Sequence, residues 1–323
     1  MPVAVHTSHR LSIVIPVTVD SLNLEDTLVS VLENRPKHSE IIVVLSKPYS
    51  DPWNIRDEVR FVQAPSDASH VSCINVGIAA SEAPFIHVLS AGWRATPGWF
   101  EKPIAQLASG RVGAVVPVIK SKRGLISTGI RFGTGGHRQL HAAKPMSPHL
   151  EVGFWRADIL EMVGRGFSVA CGDEYADADM AGSLSRMRCP VAVDFSSHVE
   201  CVNAKKPSNA FLSGLYSERL FWRSLAGGSL LSALPMHAYE IIRHTLCRAP
   251  LGSIPALTGR LVGLLQFGSY RQRYEQLKLL MEMTDHPNKN TIRFDGPHDL
   301  LHPSKQTSSP ISCDSPELLR RSA

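Results

Sequence analysis

The 323-residue sequence is marked first by what it lacks. Its six cysteines form no CxxC pair and scatter along the chain, which excludes a disulfide frame and the common zinc-ribbon spacings. No Asn-x-Ser/Thr sequon occurs. No charged start runs into an apolar stretch, so no signal peptide is expected. No uninterrupted apolar run approaches the roughly 20 residues needed to span a bilayer. Neither sign of charge dominates. With 34 basic and 29 acidic residues the net charge is +5, below what a dedicated nucleic-acid binder carries. Nucleic acid is therefore not an expected partner, whereas phosphate-bearing ligands or an anionic membrane surface suit a mildly basic chain. These features together predict a cytoplasmic protein of one large domain, or of one domain and an appendage.

What is present is a regular alternation. Leu11–Val17 is a compact, β-branched-rich run of the kind buried on both faces of a parallel sheet. Leu24, Leu28, Val31 and Leu32 follow at helical spacing, with Asn23 as the N-cap candidate. Ile41–Leu45 reads as a second buried strand, completing a βαβ unit. The pattern then repeats. Val59–Val62 reads as a strand, and Val71, Ile74 and Ile78 line a helix. Phe85–Leu89 is a further strand, Pro97–Phe100 opens a helix reaching about Ser109, and Val112–Val116 is the next strand. Residues 120–150 are irregular. Val152–Arg156 and Val191–Phe195 read as strands, with helices over Ala157–Val163 and Asp173–Met187. Ligands of open α/β sheets bind beyond the carboxyl ends of the strands, here Pro16-Val17, Leu45-Ser46 and Ser90-Ala91-Gly92.

Five segments resemble the family-two, inverting glycosyltransferases: Ser12-Ile13-Val14-Ile15-Pro16-Val17, Thr27-Leu28-Val29-Ser30-Val31-Leu32, Glu40-Ile41-Ile42-Val43-Val44, Asn75-Val76-Gly77-Ile78 and Pro97-Gly98-Trp99. They stand in the family's order over the first ~100 residues. Farther on, Gly164-Arg165-Gly166-Phe167 is similar to a Gly-Gly-Phe turn. Asp173–Met180 is similar to the acidic helix start ending in Glu-Asp-x-Asp-Leu, and His198 to the family's late histidine. The resemblance implies an A-type α/β nucleotide-sugar transferase fold with a mostly parallel central sheet over residues 1–202.

In that family the acidic pair supplies the base that deprotonates the acceptor hydroxyl. The resemblance places Asp177 there, with Asp173 and Glu174 as substitutes because Ala176 replaces the preceding Glu. Helix capping is the competing reading for all three. It also implies nucleotide-sugar contacts from Pro16, Val17, Leu45, Ser46, Asn75, Gly77, Ser90 and Gly92. Asp179, Trp93 and His198 would lie on the acceptor or diphosphate side. Several expected groups are replaced. Ser90 and Gly92 stand where an Asp-x-Asp motif would hold a metal, and hard cations need carboxylates, so no metal ligands are assigned and Mg²⁺ or Mn²⁺ is not expected. Leu45-Ser46 replaces the base-contacting Asp, Ile74 an arginine, and Ser183 another. Arg94, Lys120, Lys122 and Arg123 are the cations that could take the metal's place, although a solvated surface suits each of them better.

Weaker signals are read conservatively. Gly133-Thr134-Gly135-Gly136 is a turn and not a phosphate loop. The His137/His141 and His298/His302 pairs have no third ligand. Trp93 and Trp99 suit packing more than sugar stacking. Residues 203–284 read as an amphipathic helical extension with 10 Lys+Arg against 4 Asp+Glu between 203 and 282, which suits peripheral contact with an anionic inner membrane face. Residues 285–323 read as a disordered tail. Two functions fit these residues. One is inverting, metal-independent transfer of a sugar from a nucleotide-sugar to a glycan or lipid-linked acceptor such as a cell-envelope polysaccharide precursor. The other is a catalytically inactive glycosyltransferase-like scaffold or binding protein.

Overall fold

In the computed structural model the apolar runs become strands whose alternate residues face opposite helical layers. Residues 10–18, 24–121, 124–133, 135–136, 138–140, 144–202, 209–225 and 230–285 are described. In chain order the elements are β1 (Leu11–Val17), α1 (Leu24–Glu33), β2 (Ser39–Leu45), β3 (Arg60–Gln63), α2 (His70–Ala80), β4 (Phe85–Leu89), β5 (Trp93–Ala95), α3 (Glu101–Ala108), β6 (Ala114–Ser121), β7 (Gly124–Ser127), β8 (Arg131–Phe132), β9 (Arg138–Gln139), β10 (Val152–Arg156), α4 (Ala157–Met162), a 3₁₀ turn at Val169–Cys171, α5 (Gly172–Arg186), β11 (Val191–Cys201), α6 (Ala210–Ser224), α7 (Leu230–Cys247), α8 (Ser253–Leu265) and α9 (Phe267–Asp285). The Asn23 cap, Lys122, Arg123, both histidine pairs and the 286–323 tail lie outside the described residues or depend on residues that do.

The main sheet runs β3-β2-β1-β4-β10-β6-β11-β5, with β7 on β6. β3, β2, β1 and β4 are parallel. β10 is antiparallel to both β4 and β6, and β11 returns parallel to β6. The chain moves outward from β1 to β2 and β3 on one side and to β4 on the other. That reversal opens a crevice at the carboxyl ends of β1 and β4.

Ile13, Ile15, Ile41 and Val43 pack under α1 and α3 with Trp99 and Phe154. Val14, Ile42 and Val44 pack on the opposite face against α2, α4, α5 and the end of α9, through Ile74, Leu160, Met180, Leu277 and Leu280. The N-terminal helix–strand alternation predicted from periodicity is present, with ends shifted by a few residues. Pro97–Phe100 is a turn, and helix α3 begins at Glu101. His87, inside β4, is fully buried between Phe154 and Trp99. Its Nδ1 lies 3.0 Å from the Gly153 carbonyl, and burial depresses its pKa to about 3.

Candidate strand-end site

The crevice is rimmed by Val17, Ser46 and the Ser90–Gly92 turn. The Ser46 N–H donates to the Val17 carbonyl at 3.1 Å, while its buried hydroxyl has no partner among the described residues. Pro16 and Leu45 are buried within their strands. Ser90 is buried and its Oγ lies 2.9 Å from His70 Nε2. Its N–H donates to the Glu151 carbonyl. Gly92 adopts φ +91°, a conformation that favours glycine. Its N–H donates to Thr27 Oγ1 at 2.9 Å, and its carbonyl accepts from Val202. The Ser90–Gly92 turn is thus knitted into the fold through both Ser90 and Gly92.

That donor set does not fit a divalent ion. Mg²⁺ and Mn²⁺ demand several hard oxygen ligands. Ser90 offers one hydroxyl, already bonded to His70, and Gly92 offers no side chain. Among the described residues no three His, Cys, Asp or Glu side chains converge as a metal site. Nearby, His198 lies within β11, where Lys120 Nζ is 3.2 Å from its Nε2. Arg94 pairs with Asp26 at the surface.

The four acids at the start of α5 are dispersed, each held by different partners. Asp173 accepts the N–H groups of His70 and Val71 at 3.3 and 3.0 Å, so it neutralises the positive N-terminus of α2. Glu174 accepts from Ser213 on α6 at 3.2 Å. Asp177, only 1% exposed, takes two hydrogen bonds from Arg138, at 2.9 and 2.6 Å, and one from the Leu150 N–H at 3.2 Å. Burial raises its pKa, but the Arg138 charge and hydrogen bonds outweigh burial and hold the carboxyl below its usual range. Asp179 accepts from Arg223 at 2.8 and 3.0 Å and from Arg273 at 3.1 Å. There too burial is overcome by the two guanidinium charges. The capping reading therefore fits Asp173, while Asp177 and Asp179 are anchors of buried ion pairs. In this arrangement Asp177 is not poised as a base, because its oxygens are committed to Arg138 and to backbone.

Three residues that the resemblance assigns to ligand have structural contacts of their own. Asn75 is bonded in both directions to Phe167, its Nδ2 donating to the carbonyl at 2.7 Å and its Oδ1 accepting the N–H at 2.8 Å. It pins the Gly166–Phe167 turn. Gly77 sits where α2 crosses β1, and a Cβ there would come within 2.2 Å of Val14 Cγ1. Trp93 is buried and donates from Nε1 to Glu151 Oε2 at 3.0 Å. Trp99 is likewise core. Neither indole offers a stacking face to a sugar.

The sequence reading missed His70, Arg138, His149 and Glu151. His149 Nδ1 accepts the Glu151 N–H at 3.3 Å. Burial keeps His149 below its ordinary range despite the nearby Asp177 charge. Arg138 gave no signal because it lies in the irregular 120–150 region, far in sequence from Asp177. His70 alone carried a legible sign, since it follows the capping Ser69 at a helix start.

With this geometry in view, comparison with solved structures is informative. The chain is similar to GalNAc-T7 with UDP, GalNAc and Mn²⁺, at TM-score 0.57 and 12% identity over 86% of this chain. It spans 56% of that longer structure. It is also similar to S. aureus TarS 1-349, at TM-score 0.56 and 12% identity, covering 85% of this chain and 91% of that one. TarS 1-349 has also been solved in complex with UDP. The fold is the A-type glycosyltransferase fold. At such identity the likeness concerns the fold alone. No family model and no curated protein matches the sequence.

Proposed function

We propose that the protein is a glycosyltransferase-like binding protein that takes a nucleotide-sugar-type or glycan ligand at the β1–β4 crevice without a divalent metal and without turnover. One observation carries this reading: the buried, two-point pairing of Arg138 with Asp177, the residue that would otherwise deprotonate an acceptor. A base needs a free lone pair within reach of the proton it removes. The loss of carboxylates at positions 90 and 92 supports the same conclusion, since the departing diphosphate would find no bound cation there.

Inverting, metal-independent transfer to a glycan or lipid-linked acceptor is the second reading. It is favoured by the ionised state of Asp177, which would become a competent base once Arg138 withdrew. Both readings take residues 1–202 as a glycosyltransferase-like α/β domain and residues 203–284 as its helical extension. Titration calorimetry with UDP, GDP and their sugar conjugates, with and without Mn²⁺, tests the proposal. Binding insensitive to Mn²⁺, with no sugar released or transferred, is expected. Absence of binding to every nucleotide and oligosaccharide tried overturns both readings. Transfer that is abolished in Asp177→Asn and raised in Arg138→Gln establishes the second.

A further inference from the structure

Among the described residues, a cleft of about 490 Å³ opens between α5, α9 and the turn that follows α4. No residue of the crevice rim lines it. Its volume falls within the roughly 300–1,000 Å³ range of small-molecule sites. One wall is apolar, made by Met162, Phe167, Met180, Leu279 and Leu280. The other carries Arg223 and Arg273, which are 8% and 6% exposed. Asp179 is the one acid among the lining residues. The glutamines Gln272 and Gln276 of α9 stand exposed at the rim.

The charges of this cleft do not balance. Arg223 takes both oxygens of Asp179, at 2.8 and 3.0 Å, and also donates to Ser168 at 2.9 Å. Arg273 reaches the same carboxylate once, at 3.1 Å, and otherwise bonds the neutral Ser183 hydroxyl. Both of its bonds leave from Nη2, and its Nε is buried without a partner among the described residues. The Cys171 thiol beside Asp179 supplies no second negative charge, because burial pushes its pKa well up. Arg219, one turn before Arg223 on α6, adds a cation whose partners are neutral, Gln266 and the Ala170 carbonyl. One carboxylate therefore serves two buried guanidiniums, and their bonding leaves one positive charge over. A buried cation is costly unless an anion meets it. We propose that the cleft binds a small organic anion, with its carboxylate or phosphate against Arg273 and its apolar body on the Met162–Phe167–Leu280 wall. The inference is independent of whether the crevice binds nucleotide or turns over substrate.

Titration of the full chain, with isotope-labelled methionine methyl groups read by NMR, tests this with three probes of one shape: naphthoate, naphthyl phosphate and the neutral naphthyl methanol. The Met162 and Met180 methyl signals are expected to shift with either anion, while that of Met236 on α7 stays in place. The alcohol should bind roughly tenfold more weakly than the better anion, and which anion that is separates a carboxylate ligand from a phosphate one. Gln276→Glu, at an exposed rim position that the fold tolerates, should weaken anion binding roughly fivefold and leave the alcohol unchanged. Arg273→Met, which keeps the Asp179–Arg223 pair, should abolish the preference for anion over alcohol. Unshifted Met162 and Met180 signals with all three probes overturn the proposal. So does an alcohol bound as tightly as the anions, or anion binding undiminished in Gln276→Glu.

Discussion

Helix α2 turns Val71, Ile74 and Ile78 onto the sheet, whereas α7 turns His237 and Glu240 inward and leaves Leu231, Ile242 and Leu246 outside. The first helix is held by removing apolar surface from water. The second region is held by charge pairs and by backbones drawn together at glycine. Comparing them shows that hydrophobic content alone does not say which side of a helix meets the protein. The sheet half carries its stability in its core. The C-terminal half adds a few buried ion pairs to its apolar contacts, chiefly Glu218 with Arg260 and Asp179 with Arg223 and Arg273.

That contrast is broken most severely at Asp179. Replacing it with Ala would leave Arg223 and Arg273 buried without their carboxylate. Removing one partner of a buried pair costs about 3–5 kcal/mol, and the urea midpoint should fall accordingly. A loss below about 1 kcal/mol would show that apolar contacts such as Leu277 and Leu280, and not the ion pairs, hold α9 to the sheet half.

Asp179 also shows what the sequence could and could not disclose. The resemblance led to an arginine at position 183, where Ser183 stands. In the fold Arg273 reaches from α9 to both Ser183 and Asp179. The missing charge is supplied from 90 residues away, a distance that local pattern cannot see. The strands were legible because burial on two faces writes continuous apolar runs such as Ser12–Val17. The Asn75-x-Gly77 segment was legible too, as a motif whose structural contacts the resemblance did not disclose. Gly77 is small because α2 rests on Val14, and Asn75 is polar because Phe167 needs two backbone hydrogen bonds met. Arg138 was not legible at all, since its partner Asp177 lies across a segment without period.

A smaller effect separates the core from the surface by pH. His87 is neutral in the folded protein, with a pKa of about 3, against about 6.5 in an unfolded chain. Below about 6.5 the unfolded state takes up a proton that the folded state refuses, so stability is fully present above that value and declines as pH falls towards 3. Between about pH 7 and pH 5 this group should lower stability by roughly 2 kcal/mol. His87→Leu should flatten that part of the profile, measured by denaturant melts at several pH values. An unchanged slope would assign the acid sensitivity to other groups, such as His149, which burial also depresses.

Asn75→Ala comes next, at about 1–2 kcal/mol, because the Phe167 N–H and carbonyl lose their partner. The measurement that sharpens the comparison pairs this melt with nucleotide titration. Equal loss of stability and undiminished ligand affinity are expected if Asn75 only pins the turn. Intact stability with lost affinity would return it to the ligand site.

The smallest expected effect is on the α7–α8 surface. Ile74→Ala in the core should cost about 2–5 kcal/mol, because a fully buried side chain leaves a cavity. Leu251→Ser, at a position 91% exposed, should change stability in lipid-free buffer by no more than about 0.5 kcal/mol. The two substitutions remove comparable apolar groups, so the difference isolates location from chemistry. If Leu251→Ser destabilised the free protein by several kcal/mol, the face would already be covered in solution, and the opposition between α2 and α7 would collapse. If it left the free protein unchanged, the stability of the fold would not depend on this leucine.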